Sequence, residues 1–371
     1  MKTKILFVLL AGGVLALAAW LTRQASPVQA DEIPEKYRET LDKGLAYLAK
    51  CQSKDGHWEG DGGKHPVAMT GLVGLAFFME KDIPTSGRGL RKQPVSEEKY
   101  SANVRKAVDW LMDKSKAGRD GLIFSEHPSE TARYMQGHGL ATLFLAGACA
   151  YERNDERRQK LNYVLTGAVR YIAKARSAQG GWYDTSKVEG HDFDSIAATV
   201  IQIQALQAAE NAGIPVPGEL IIDAQAYLQK ALGKKEADKK ELPRSRQADV
   251  AGTLACWFNT NRRDAKDEWS AKLLKVCQTE IPMGRNAKFG RDDLAHYYYG
   301  QVVFNMGGNP WPEYRAQMFD HLQNSQNKDG SWPTANGLSV GPIYSTALWC
   351  TVLQLDKRSH PSRRAEQVAI F

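Results

Sequence analysis

Cysteine is scarce in this chain: five among 371 residues. Cys51, Cys149, Cys256, Cys277 and Cys350 form an odd, scattered set without a short C-x-x-C spacing, which excludes a disulfide framework. Cys149, Cys256 and Cys350 fall inside apolar helical patterns, where a free thiol behaves as a small hydrophobe. One bridge would be compatible with an oxidising compartment, and no pairing stands out. Strand-like alternation is nearly absent, which excludes an all-β or α/β class. Charge of one sign is also lacking. The formal charge is +7, and it falls to +4 once Lys2, Lys4 and Arg23 of the extreme N-terminus are set aside, too mild a balance to imply nucleic acid. The runs Arg88 to Lys92 and Lys234 to Lys240 are broken by glycine or mixed in sign and read as solvated loops.

Long apolar runs are missing everywhere except at the start. Lys2 and Lys4 precede a nearly uninterrupted apolar stretch from Ile5 to Leu21, and Val28-Gln29-Ala30 offers the small residues that a signal peptidase reads. Residues 1–30 are therefore expected to be a signal peptide cleaved after Ala30, with an uncleaved anchor as the alternative because about 17 apolar residues reach the lower limit for spanning a bilayer. Either reading exports residues 31–371, to the periplasm or cell envelope, and leaves membrane association through this segment open.

What the sequence does have is a repeat. Gln52-Ser53-Lys54-Asp55-Gly56-His57-Trp58 returns as Gln326-Asn327-Lys328-Asp329-Gly330-Ser331-Trp332, and Gln179-Gly180-Gly181-Trp182 lies between them. One unit of helix, glycine turn, tryptophan and second helix cannot bury its apolar face alone, so such units stack. Six pairs can be laid out at a spacing of about 50 residues. They are Leu41 to Gln52 with Ala68 to Met79; Val104 to Lys114 with Gly137 to Tyr151, across Asp120-Gly121; and Val164 to Arg176 with Ser195 to Asn211. Ile221 to Leu232 with Ala248 to Asn259, Trp269 to Thr279 with Leu294 to Met306, and Tyr314 to Gln326 with Ile343 to Leu355 complete the set. The first helices carry a narrow apolar stripe, whereas the second, such as MTGLVGLAFFM, are apolar over most of their circumference. Outer and inner rings follow, and with them an all-α class: a single α/α toroid of residues 31–371. In the turns, Gly56, Gly181 and Gly330 are expected to supply positive φ, and the tryptophans to staple each turn to the preceding helix.

The Gln-x-x-Asp-Gly-x-Trp units resemble the repeats of squalene cyclases and of protein prenyltransferase β subunits, the terpenoid cyclase toroid superfamily. Tyr134 to Thr142, Gln207 to Pro217, and Tyr297-Tyr298-Tyr299-Gly300 followed by Gly307 to Trp311 resemble the exported, single-toroid prenyltransferase and squalene oxidase repeat proteins of bacteria such as planctomycetes. The resemblance covers most of residues 40–356.

By that resemblance, His191-Asp192-Phe193-Asp194-Ser195 occupies the place of the cyclase Asp-x-Asp-Asp motif, with Asp194 as the alkene-protonating acid and Asp192 as its partner. Ser195 stands where the last aspartate should be, and an acid strong enough for that step needs coupled carboxylates. The competing reading is that Asp194 or Ser195 caps the following helix. The zinc ligands of protein prenyltransferases are not matched: Leu294 takes the approximate place of the cysteine in Arg291 to Tyr297, and Gly341 to Ser345 contains no histidine. A thioester Cys-Gly-Glu-Gln motif is also missing. The resemblance thus implies no metal and no cofactor.

Candidate ligand-binding residues are His138, His191, Asp293, His296, Tyr297 and Tyr344, all at or near the beginnings of inner helices that would converge on one mouth. Three classes of function fit. One is binding or cyclase-like transformation of an isoprenoid or other apolar ligand in a central cavity, although a full squalene cyclase pairs two such domains. The others are a non-catalytic envelope scaffold and an exported carbohydrate-active enzyme.

Overall fold

The computed structural model describes residues 33–80, 99–118, 120–237, 244–259, 268–306, 309–334, 340–355 and 360–362. The expected signal peptide, the run Arg88 to Lys92 and Gly307-Gly308 lie outside the described residues. The described chain is all-helical, with thirteen α-helices and no strand among the described residues. None of these helices is long and apolar enough to cross a membrane.

In chain order, the first pair is α1 (Glu35–Lys50) and α2 (Pro66–Met79). The second is α3 (Ser101–Ala117) and α5 (Tyr134–Tyr151), preceded by the single turn α4 (Pro128–Thr131), which the sequence pattern does not announce. Then come α6 (Asp155–Ala175) with α7 (Ile196–Asn211), α8 (Gly218–Ala237) with α9 (Arg244–Asn259), α10 (Glu268–Glu280) with α11 (Asp293–Met306), and α12 (Pro310–Ser325) with α13 (Pro342–Leu353). The inner helices begin close to where periodicity places them. The outer ones start earlier, because their first turns are polar and carry no apolar signal. Helix α6 shows the cause: Asn154 caps it by accepting from Arg157 N–H at 2.9 Å, and Asp155 and Glu156 favour the positive end of the helix dipole. Helix α8 continues beyond Leu232, through non-helical Gly233, so Lys234 to Ala237 are helical rather than loop.

The second helices of the pairs pack in cyclic order: α2 on α5, α5 on α7, α7 on α9, α9 on α11, α11 on α13, and α13 back on α2. Each outer helix packs on the inner helix of the preceding pair, and α1 packs on α13 in the same way. Burial follows this layout. Every residue of α2 except Ala68 is buried, whereas α1 buries only one face.

The repeated motif holds neighbouring pairs together. Trp58, Trp182 and Trp332 are fully buried, and their indole Nε1–H groups donate to Leu48 O, Ile172 O and Leu322 O at 2.7, 2.8 and 3.0 Å. Their backbone N–H groups donate to the hydroxyls of Thr70, Thr199 and Thr346 on the following inner helices. Burying one such side chain is worth about 4–6 kcal/mol at most. The motif glutamine ties its own turn to the next outer helix: Gln52 Nε2 donates to Gly56 O and Asn103 O, and Gln326 Nε2 donates to Gly330 O and Thr40 O.

The turn glycines have positive φ, 107° at Gly56 and 94° at Gly330, but in the third turn this conformation belongs to Gly180 (97°) and not to Gly181. Gly180 has the register of the other two when counted back from the tryptophan. Gly181 is needed for space, since a Cβ there would lie 2.8 Å from Asp194 Oδ1. All five cysteines are free, and all but Cys51 are buried.

At Gly330 an added Cβ would sit 2.3 Å from Lys43 O of α1, whereas at Gly213, also at positive φ, it would meet nothing within 4 Å. Gly213→Ala is therefore expected to cost about 1 kcal/mol of backbone strain, and Gly330→Ala about 3 kcal/mol because α1 must also be displaced. Chemical denaturation of both variants checks this; equal losses would show that the contact between the last turn and the first helix carries no weight.

Candidate functional site

Several residues in the N-terminal halves of the inner helices escape full burial. Ala68 on α2, Gln136 and Leu140 on α5, Ala197 and Ile201 on α7, and Tyr344 on α13 face a cavity of about 250 Å³ in the middle of the helix circuit. Met69, Leu72, Val200, Leu294 and Leu348 extend an apolar wall, and Tyr297 and Tyr298 add aromatic surface. At the other end of the inner helices the space is filled by polar cross-links, including Gln204 Nε2 to Gln301 Oε1 at 3.0 Å and Gln354 Nε2 to Ala76 O at 2.9 Å. The segment 360–362 seals that end: Asn259 Nδ2 donates to Ser362 Oγ at 2.9 Å, and His360 Nε2 lies 2.7 Å from the Tyr297 hydroxyl.

Few polar groups reach the cavity. Glu130, on the single turn α4, is only 3% exposed. Its Oε1 accepts from Val67 N–H at 2.8 Å and Ala68 N–H at 3.1 Å, two of the free donors at the start of α2. Its Oε2 is buried with no hydrogen-bond partner among the described residues. An open buried acceptor of this kind costs on the order of 1–3 kcal/mol; Gln202 Oε1 and Gln354 Oε1 are further examples among the described residues. Burial pushes the Glu130 carboxyl up to about 7, against the opposing pull of the Ala68 and Val67 bonds.

Beside it, His65 holds left-handed backbone (φ 58°, ψ 47°) at the start of α2, a conformation that strains a residue with a Cβ by on the order of 1–2 kcal/mol. Burial and, next, the Arg133 charge hold the His65 imidazole below its ordinary range. Arg133 itself pairs with Asp184 at 3.6 Å. Across the cavity, burial pushes Asp249 on α9 up to about 6, opposed by Arg246.

The residues expected from sequence divide. Tyr297 and Tyr344 line the cavity. Asp192 and Asp194 do not line it; they hold the turn before α7. Asp194 Oδ1 accepts from the Ser177 hydroxyl, Asp192 Oδ1 accepts from Ala178 N–H at 2.8 Å, and Ser195 caps α7 by accepting from Ala198 N–H at 3.2 Å. His191 is exposed on the same turn.

His138 is fully buried outside the cavity lining, with Nδ1 accepting from Ile123 N–H at 3.0 Å and Nε2 donating to Ala168 O at 3.3 Å. It takes the place that Thr70, Thr199 and Thr346 take in the tryptophan-bearing units. His296 likewise uses both ring nitrogens, donating to Pro282 O at 2.9 Å and accepting from the Tyr314 hydroxyl at 3.1 Å. Burial lowers both imidazoles to about 4, so both are neutral structural links. Asp293 receives Gly290 N–H on both oxygens at 2.9 Å, and burial raises it to about 6.

Sequence reasoning missed Glu130, His65 and Asp249. Glu130 lies in the polar stretch His127 to Arg133, outside the apolar helical patterns, and its backbone partners are more than sixty residues away.

No protein family and no curated protein matches the chain in sequence. Among solved structures, the chain is similar to a protein from Actinoplanes at a TM-score of 0.55 and 12% identity, covering 87% of this chain and all of that one. At that identity the likeness concerns the fold alone.

The Glu130 carboxyl makes stability depend on pH in a definite direction. Between pH 4.5 and about 7 the folded protein keeps this proton while the unfolded chain loses it, so stability falls as pH rises through that window, by on the order of 3 kcal/mol. Glu130→Gln is expected to lack this loss. Denaturation at pH 4.5 and pH 8 should show the variant gaining on the wild type by about that amount, while the opposite contributions of His138 and His296 cancel in the comparison. A constant difference between the two proteins at both pH values would refute the assignment.

Proposed function

We propose that the chain is a single α/α toroid of the terpenoid cyclase and protein prenyltransferase type, exported by its N-terminal segment, that binds an isoprenoid or other small apolar ligand in its central cavity. The cyclic packing of the six inner helices supports the architecture, and the likeness in fold to a solved structure over 87% of the chain is compatible with it. The observation that carries the functional reading is the wall composition: a mostly aliphatic and aromatic cavity with a handful of convergent polar groups at the N-terminal ends of the inner helices.

At about 250 Å³ the cavity falls just under the common 300–1,000 Å³ range of ligand pockets, which suits a short apolar chain rather than a triterpene. Binding is favoured over cyclase chemistry because Asp194 and Asp192 are engaged in a turn outside the cavity lining. A glycan-processing role would need a wide polar cleft with two exposed carboxylates, a poor match to this wall.

Titration calorimetry of the protein lacking residues 1–30 with geraniol is expected to give binding with a negative heat-capacity change. Leu140→Trp, which fills the cavity from a half-buried position, is expected to abolish it with little change in thermal stability. Undiminished geraniol binding by this variant would place the ligand elsewhere.

A further inference from the structure

Glu130 gives the cavity a polar end of unusual character. One carboxylate oxygen is consumed by the start of α2, which holds the side chain in a fixed orientation, and Oε2 is left buried without a hydrogen-bond partner on a residue that lines a mostly apolar space. An ionised carboxylate accepts hydrogen bonds and a protonated one also donates, so in either state Oε2 suits a ligand hydroxyl, which can do both.

The charge nearest Oε2 opposes an anionic head. Glu130 and Asp249 both line the cavity; the cations near them are Arg133 at the lining, whose Nε lies 3.6 Å from Asp184, and Arg246, which acts on Asp249. The charges of His57, from the turn after α1, and Lys114 of α3 also act on the Glu130 carboxyl, favouring its ionised form. His65 lines the same wall and is kept from charging by its burial and by Arg133. A phosphate or carboxylate placed against Oε2 would meet a like charge in a desolvated site.

We propose that the cavity selects a short apolar chain ending in a neutral hydroxyl, seated on Glu130 Oε2, and that the same carboxylate excludes the phosphorylated, sulfated or carboxylated forms of that chain. The proposal rests on the reading of the cavity as a ligand site and adds to it the chemistry of the head group.

Three probes separate the two claims: geraniol, geranyl sulfate, which stays a monoanion across the working pH range, and 2,6-dimethyl-2,6-octadiene, which lacks the head. Calorimetry at pH 8 is expected to rank geraniol about tenfold or more ahead of both others. Glu130→Gln keeps an oxygen for Val67 and Ala68 but removes the charge, and should tighten geranyl sulfate by about tenfold while changing geraniol less. Should that variant fail to fold, lowering the pH of the wild type from 8 to 5.5 protonates Glu130 and should relax the exclusion of the sulfate, with Asp249→Asn run alongside to separate the contribution of the second wall carboxylate.

If the hydrocarbon and geraniol bind equally and Leu140→Trp blocks both, the cavity reading stands and the head-group proposal falls. A wild type that takes geranyl sulfate as well as geraniol has the same consequence. If none of the three probes binds at pH 8 or pH 5.5, both are overturned.

Discussion

The structure depends on the close approach of each glycine turn to the outer helix of the next pair. Gly56 comes against the backbone of Lys106, Gly121 against Gly167, Gly180 against Asp223 and Gly330 against Lys43, so the last turn meets the first helix by the same contact that joins the internal neighbours. A Cβ at any of these positions would lie 2.3 to 3.0 Å from a carbonyl oxygen. At Gly56, Gly180 and Gly330 the tryptophan two residues on ties the end of the preceding outer helix to the start of the following inner helix, and at Gly56 and Gly330 the motif glutamine spans to the next outer helix. Turn geometry, tryptophan burial and pair-to-pair distance are therefore one constraint, and because the circuit returns to α1, no pair is left with an uncovered apolar face.

Closing the circuit places the starts of six inner helices together, and those starts are rich in free N–H donors. At α7 one of them is answered locally, by the Ser195 hydroxyl. At α2 the donors are answered from another unit, by Glu130. This long-range cap brings a carboxylate into an apolar cavity, fixes one of its oxygens and leaves the other open. The cavity's chemistry is thus a by-product of helix capping, and it requires no motif. The other end of the same space is closed by side-chain amides and by residues 360–362.

Much of the architecture was legible in the residues. Inner helices such as 195–211, 248–259 and 294–306 stood out because burial on several sides demands apolar residues around the whole circumference. Outer helix starts were less legible, since their first turns are stabilised by polar caps and charge, which look like loop. His138 illustrates a different failure. At the start of an inner helix it resembles a ligand, yet it replaces the threonine that clamps the turn in other units, a substitution visible only when Ile123 N–H and Ala168 O are seen on its two nitrogens. Tyr297 and Tyr344, singled out for their places near inner-helix starts, do line the cavity.

The sequence by itself determined the unit: the spacing of glycine, tryptophan and apolar helix is local, and local backbone preference together with the area of one indole is enough to set how a pair folds and what face it must bury. Only the tertiary structure decided which of the many carboxylates and histidines face the cavity. Asp194, the residue the motif recommends, and Glu130, the residue no motif marks, differ in what surrounds them. Desolvation and contact with a distant helix start are properties of the assembled circuit, which no stretch of the chain carries alone.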